Sequence, residues 1–191
     1  MKLKNIKIYN YRCFKEAEMD FDDHITLIVG KNGAGKTAIL DAVAVSVSTF
    51  LLGIDGGVSR SILKDDARYE FHDLNGTIDP QHQFPVNIKS TGDCLDQKDV
   101  KWIRSLNSES GKTTIKDAGE LTGLAKKAQN QIMTGDKSLV LPLISYYGTG
   151  RLYAQKKEKR NLKSLKEFKR QVGYVDCMAA EIGRASCRER V

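Results

Sequence analysis

The sequence predicts an α/β fold in which a strand, a glycine loop and a helix follow one another directly. Three observations predict it. Ile25-Thr26-Leu27-Ile28-Val29 is a short apolar run rich in β-branched residues, as a buried strand requires. Gly30 to Thr37 fits the pattern G-x-x-x-x-G-K-[ST] at every fixed position. After it, Ile39, Leu40, Val43, Val47, Phe50 and Leu51 recur at helical spacing.

The remaining elements follow in chain order. Residues 3–14 mix polar residues with Leu3, Ile6, Ile8 and Tyr11 and predict a half-buried strand. Ala17, Met19 and Phe21 alternate with Glu16, Glu18 and Asp20, the period of a second strand, so the two predict a hairpin ahead of the glycine loop. Residues 52–64 carry Gly53, Gly56 and Gly57 and read as a loop. Residues 68–73, 85–89 and 100–104 are short strand candidates, separated by turn signals at Asn75-Gly76, Thr91-Gly92-Asp93 and Asn107-Ser108. Together they predict a small antiparallel sheet packed, with the hairpin, on the loop's strand and helix. Residues 118–133 place Leu121, Leu124, Ala125, Ala128 and Ile132 on one helical face, with Gly119 and Gly123 weakening the first turns. Residues 139–147 form a second apolar run, and Pro142 argues for a bulge or an edge there. The turn Tyr146-Tyr147-Gly148-Thr149-Gly150-Arg151 is of a kind often placed beside a ligand.

The residue types in the glycine loop suit a phosphate. Glycines let backbone N–H groups turn inward and wrap the anion, where a Cβ would obstruct. Residues Gly30, Lys31, Asn32, Gly33, Ala34 and Gly35 are the candidate cradle. Lys36 would place a point charge on the β and γ oxygens, and the Thr37 hydroxyl would ligate Mg²⁺. The helix that follows turns its positive end to the same place. ATP and Mg²⁺ are therefore the expected ligands, and Lys36 is the residue expected to serve catalysis.

Composition bounds the setting. Charged residues at 29% and hydrophobic residues at 40% suit a soluble globular chain. No signal peptide is expected ahead of the first strand, no apolar stretch is expected to span a membrane, and a cytoplasmic location is expected. Residues 182–191 resemble the translation of a common sequencing adapter, so they are set aside, and residues 1–181 are expected to be the N-terminal part of a longer domain. That tail holds three arginines, one glutamate and Cys187 of a chain whose net charge is +7, which leaves +5 elsewhere. Cys13, Cys94 and Cys177 lack metal-ligand spacing and argue for a reducing compartment. Residues 151–170 hold nine Lys/Arg against Glu158 and Glu167. Such a block suits nucleic-acid phosphates or a solvated face.

The longer string from Val29 to Val43, with Asn32 and Leu40-Asp41-Ala42, resembles the ATPase heads of the SMC, RecF and SbcC-type ABC ATPases. These heads open on a strand ending in Asn-aromatic-Arg, which Asn10-Tyr11-Arg12 matches. The resemblance implies a P-loop NTPase fold, the N-terminal lobe of an ABC-type head, and places Arg12 near the nucleotide. It implies ATP hydrolysis with Mg²⁺ between two heads of a homodimer. The strings Leu141 to Leu152 and Gly173 to Cys177 are similar to bacterial Septu and retron-associated ATPases of anti-phage systems. That similarity implies action on DNA or on a partner nuclease in defence. Repair of DNA double-strand breaks, nucleotide sensing without turnover, and a DNA-binding module on residues 151–170 are the alternatives. The signature segment and the Asp-Glu strand of such heads do not occur here, and truncation is the expected reason.

Other motifs point to no chemistry. Gly111-Lys112-Thr113-Thr114 imitates a loop end, but Leu106 stands where the first glycine should be, so a turn and strand are expected. His24, His72 and His82 lack ligand spacing, and Asp65-Asp66 reads as a solvated pair.

Overall fold

The computed structural model describes residues 1–74, 77–136, 138–148, 174, 177 and 178. Its strands are β1 (Lys2–Tyr11), β2 (Phe14–Asp20), β3 (Tyr69–Leu74), β4 (Thr77–His82), β5 (Val86–Cys94) and β6 (Gln97–Leu106). Its helices are α1 (Lys36–Val47) and α2 (Gly119–Met133). The predicted hairpin and the predicted small sheet prove to be one antiparallel sheet in the order β2-β1-β5-β6, while β3 and β4 pair separately. Residues 75–76 and 151–170 and the tail 182–191, on which a turn, a basic block and an adapter are expected, lie outside the described residues, as does most of 173–177.

Alternation places Ile6, Ile8, Val86, Ile88, Val100, Trp102 and Leu106 on buried sites of this sheet. α1 covers them with its small residues: Ala38, Ala42 and Val45 meet β1 and β5. Alanines let a helix axis come close to a sheet. Phe50 and Leu51, just past α1, join Trp102, Leu121 and Ala125 in the second cluster. Phe50, Leu51 and Leu121 are fully buried, which contributes about 2 kcal/mol per side chain.

A polar cluster under the helix fixes its position. The Trp102 indole N–H donates to the Ser46 carbonyl and hydroxyl, both at 3.1 Å. The Ser46 and Ser90 hydroxyls lie 2.6 Å apart. Buried polar groups are costly unless paired, so these pairs select one seat for α1 on β5 and β6.

After Val47 the helix tightens into a 3₁₀ segment, Ser48–Gly53, against α2. A Cβ at Gly53 would fall 2.4 Å from the Thr122 carbonyl oxygen and 2.6 Å from the Ala125 Cβ. The expected loop from residue 52 therefore begins later. Together the two helical pieces, Lys36–Gly53, reach membrane-spanning length at a mean hydropathy of 1.4, which corrects the expectation that no stretch does. Most of this run is buried in the two clusters just described, as a core helix is.

Four further expectations are corrected. Residues 25–29 form no strand, and Ile25, Leu27 and Val29 are exposed. A β run is held by neighbours, and among the described residues none pairs with it. Thr91-Gly92-Asp93 is no turn but part of β5, at a bulge against β1. Gly92 is needed because a Cβ there would lie 2.2 Å from the Lys2 carbonyl oxygen. β4 carries Pro80, which hid it in the sequence; a two-stranded ribbon has only edges, where proline is tolerated. A turn closes at Gly111, whose N–H donates to the Ser108 carbonyl at 3.0 Å, but residues 112–114 form no strand. Residues 139–147 run without regular structure, with Ile144 buried and Leu143 96% exposed.

Candidate functional site

The glycine loop is an open turn that feeds α1. Gly33 and Gly35 take left-handed φ values of +83° and +86°. Gly35 is also the N-cap of α1, and among the described residues no side chain caps it. The first helical bond runs from the Ile39 N–H to the Gly35 carbonyl at 3.0 Å. Amides ahead of it in the first turn have no intrahelical acceptor, and the helix dipole adds positive potential there. Residues 31–34 and Thr37 are at least partly exposed, so the amide-lined end opens to solvent.

Lys36 spans its own loop. Its ammonium donates to the Gly30 and Lys31 carbonyls, each at 2.7 Å. These are neutral acceptors that a phosphate would outcompete, because charge-assisted hydrogen bonds are about twice as strong. Thr37 follows on the same turn. One protein oxygen completed by phosphate oxygens and water fits the habits of Mg²⁺. Among the described residues, no group of three His, Cys, Asp or Glu gathers to hold a metal by itself.

Arg12 lies behind this loop, in the turn between β1 and β2. The turn forms because Asn10 and Arg12 both adopt φ +49°. It is strapped down by the Arg12 N–H on the Asp66 carbonyl at 2.7 Å and the Arg68 N–H on the Asn10 carbonyl at 3.0 Å. The guanidinium bridges two carboxylates: Nε to Asp66 at 2.8 Å and Nη1 to Asp41 at 2.6 Å. Burial alone would lower its pKa, but Tyr11, Asp66 and Asp41 outweigh that and raise it. Asp66 is buried, so the expectation of a solvated pair with Asp65 is corrected; its other oxygen accepts the Leu63 N–H at 2.9 Å.

Asp41 is the centre of the arrangement, and sequence reasoning missed it. It is 6% exposed, on the second turn of α1. Besides Arg12 it takes Arg60 at 3.3 Å and the Tyr146 hydroxyl at 2.5 Å on its other oxygen. The Arg60 guanidinium also lies 4.5 Å from the Tyr146 ring centre. Burial and then the bond to Asp41 raise the Tyr146 phenol. Two signals point this way: Asp41 lies within the string after the loop, and Tyr146 lies in a turn expected beside a ligand. Nothing in the sequence joins them.

The remaining candidates separate from the site. His24 and His72 are exposed, and His82 stacks 4.1 Å from Tyr69. The Thr113 hydroxyl bonds the Ile62 main chain. Cys13 is an exposed thiol, Cys94 a buried one and Cys177 half-buried.

The family model described as AAA domain matches residues 5–182 of the chain. A DNA double-strand break repair Rad50 ATPase of Pyrococcus abyssi is 43% identical over 47 residues, 25% of this chain and 5% of the relative. A DNA replication and repair protein RecF of Chlorobium phaeobacteroides is 34% identical over 89 residues, 47% of this chain and 23% of the relative. The RecF of Mannheimia succiniciproducens is 27% identical over 137 residues, 70% of this chain and 33% of its own length. A solved structure from work on ATP-driven dimerization and DNA-stimulated activation of SMC ATPases covers 72% of this chain and 93% of its own, at 15% identity and a TM-score of 0.43. The chain thus matches no more than a third of the length of these curated relatives.

Proposed function

This chain belongs to the AAA domain family, and from that premise we propose that it is the ATP-binding part of an ATPase that acts on DNA. The observation that carries the reading is the loop itself: left-handed Gly33 and Gly35 lead into an uncapped helix whose first residue is Lys36. The amides of residues 30–35 would wrap the β and γ phosphates. Lys36 would leave the Gly30 and Lys31 carbonyls for phosphate oxygens, and Thr37 would hold Mg²⁺. Bound Mg²⁺ neutralises charge on the β and γ oxygens. Arg12, Lys31 and Asn32 complete the proposed site from behind and beside the loop.

Residues 1–181 are proposed as the N-terminal part of an SbcC- and RecF-like head, working as a homodimer in the cytoplasm. The names of the relatives support repair or replication of DNA. A second reading is anti-phage defence with a nuclease partner, and the strings at Leu141 to Leu152 and Gly173 to Cys177 favour it. A nuclease or reverse-transcriptase gene beside this one would support defence.

Calorimetric titration of the chain with Mg·ATP tests the core reading. Saturable binding that vanishes in Lys36→Ala is expected. Equal binding by the variant, or none by the unaltered chain, rejects it. Binding without turnover in the complete protein would favour a nucleotide sensor.

A further inference from the structure

Asp41 and Gly35 are both touched by the one turn that joins β1 to β2. Arg12 of this turn is paired to Asp41 at 2.6 Å. The next two residues lie against the loop: a Cβ built on Gly35 would be 2.5 Å from the Phe14 ring and 2.7 Å from the Cys13 sulfur. The loop and its helix are therefore touched by one turn at two points six residues apart. Asp66 fixes that turn from the other side, through both its carboxylate and its carbonyl. Arg60 and Tyr146 attach two more stretches of chain to the same Asp41 carboxylate.

We propose that Asp41 is a positioning residue of the nucleotide site, acting through Arg12 to brace the Cys13-Phe14 turn against Gly35 and so to set the loop's angle on α1. The proposal rests on the nucleotide-binding reading above. Its logic is geometric. A loop that gathers phosphates with backbone amides works only if those amides converge, and misplacement by about 1 Å can cost on the order of 100-fold. The loop itself is largely exposed, so its shape depends on what lies behind it. What lies behind Gly35 is the turn, and what holds the turn to α1 is the Asp41–Arg12 pair. The buried Asp41 carboxylate is costly to remove, because its loss takes one of two carboxylates from Arg12 and the ion pair from Arg60.

The test uses the full chain with Asp41→Asn, Arg12→Gln and the double variant. Affinity for a fluorescent ATP analogue with Mg²⁺ should fall about tenfold in each single variant and no further in the double. Cys13 supplies a readout that needs no nucleotide: its alkylation by a small maleimide should run at least threefold faster in Asp41→Asn as the turn leaves Gly35. Tyr146→Phe is the milder variant should Asp41→Asn unfold; it should shift both readouts in the same direction by a smaller factor. Unchanged or tighter binding in Asp41→Asn, additive losses in the double variant, or an unchanged Cys13 rate would each overturn the brace. If the unaltered chain binds no ATP, the functional reading fails, and the Cys13 rates still decide whether the brace exists.

Discussion

The Lys36 ammonium donates to the Gly30 carbonyl at 2.7 Å, so the site's own cation closes the loop that would receive a phosphate. Lys36→Ala should remove both that bond and the charge offered to the β and γ oxygens. We expect ATP affinity to fall at least 100-fold while the thermal midpoint moves by less than about 2 °C, because among the described residues Lys36 bonds two exposed carbonyls. Titration calorimetry beside a thermal melt separates the two effects.

Gly35→Ala tests the fit of loop against turn. A side chain at φ +86° costs roughly 1–2 kcal/mol from the backbone alone. The added Cβ would also meet the Phe14 ring and the Cys13 sulfur inside contact distance. A loss of stability larger than the backbone cost, seen in urea unfolding, is the expected outcome. Gly33→Ala, where no other described residue comes within 4 Å of the added Cβ, should show the backbone cost only.

Trp102→Phe tests the seat of α1. The substitution keeps an aromatic ring in the core and deletes the donor to Ser46, so a cost of about 1–3 kcal/mol is expected in chemical denaturation. Trp102 is the chain's single tryptophan and is 1% exposed. Its emission should be blue-shifted and resist acrylamide, and Ser46→Ala should alter that spectrum without exposing the ring.

Alkaline pH should destabilise the chain through buried phenols. Burial raises Tyr174 to about 12 and pushes Tyr11 up as well. The unfolded value is about 10, so the contribution is complete below pH 10 and is lost as pH climbs from there toward the folded value. Denaturation midpoints between about pH 8 and 11 should fall chiefly above 10. Tyr174→Phe should flatten that fall, and phenolate absorbance should show a late-titrating class that the variant has partly lost.

Ile25, Leu27, Val29, Val140 and Leu143 are large apolar side chains on the surface. Large apolar side chains exposed in a short run can promote association. The isolated chain should aggregate as its concentration rises, and Leu27→Lys combined with Leu143→Lys should increase the monomer fraction in light scattering. An unchanged fraction would show that these runs are not the sticking surface.

Local pattern makes much of this molecule legible in its sequence. The period-2 alternation in β2, the helical face of Leu121, Leu124, Ala125 and Ala128, and the residues of Gly30 to Thr37 each report geometry over a few neighbours, which sequence spacing encodes directly. The same local signals mislead where a neighbour is decisive. Gly92 resembles a turn residue because glycine marks turns, yet it is a strand residue that β1 approaches too closely for a Cβ. Ile25 to Val29 carries the composition of a buried strand, but burial is conferred by flanking strands rather than by composition.

The sequence by itself determined most of the element types, the loop and the residues offered to a phosphate, because those depend on backbone preference and side-chain chemistry within a few positions. Only the tertiary structure decided that Arg12, Asp41, Asp66, Arg60 and Tyr146 form one charge cluster around a buried carboxylate. Tyr146 and Asp41 are 105 positions apart, and no periodicity reaches that far. Their meeting depends on how α1 is seated over the sheet, which the burial of Trp102, Ser46 and Ser90 fixes through packing and paired polar groups.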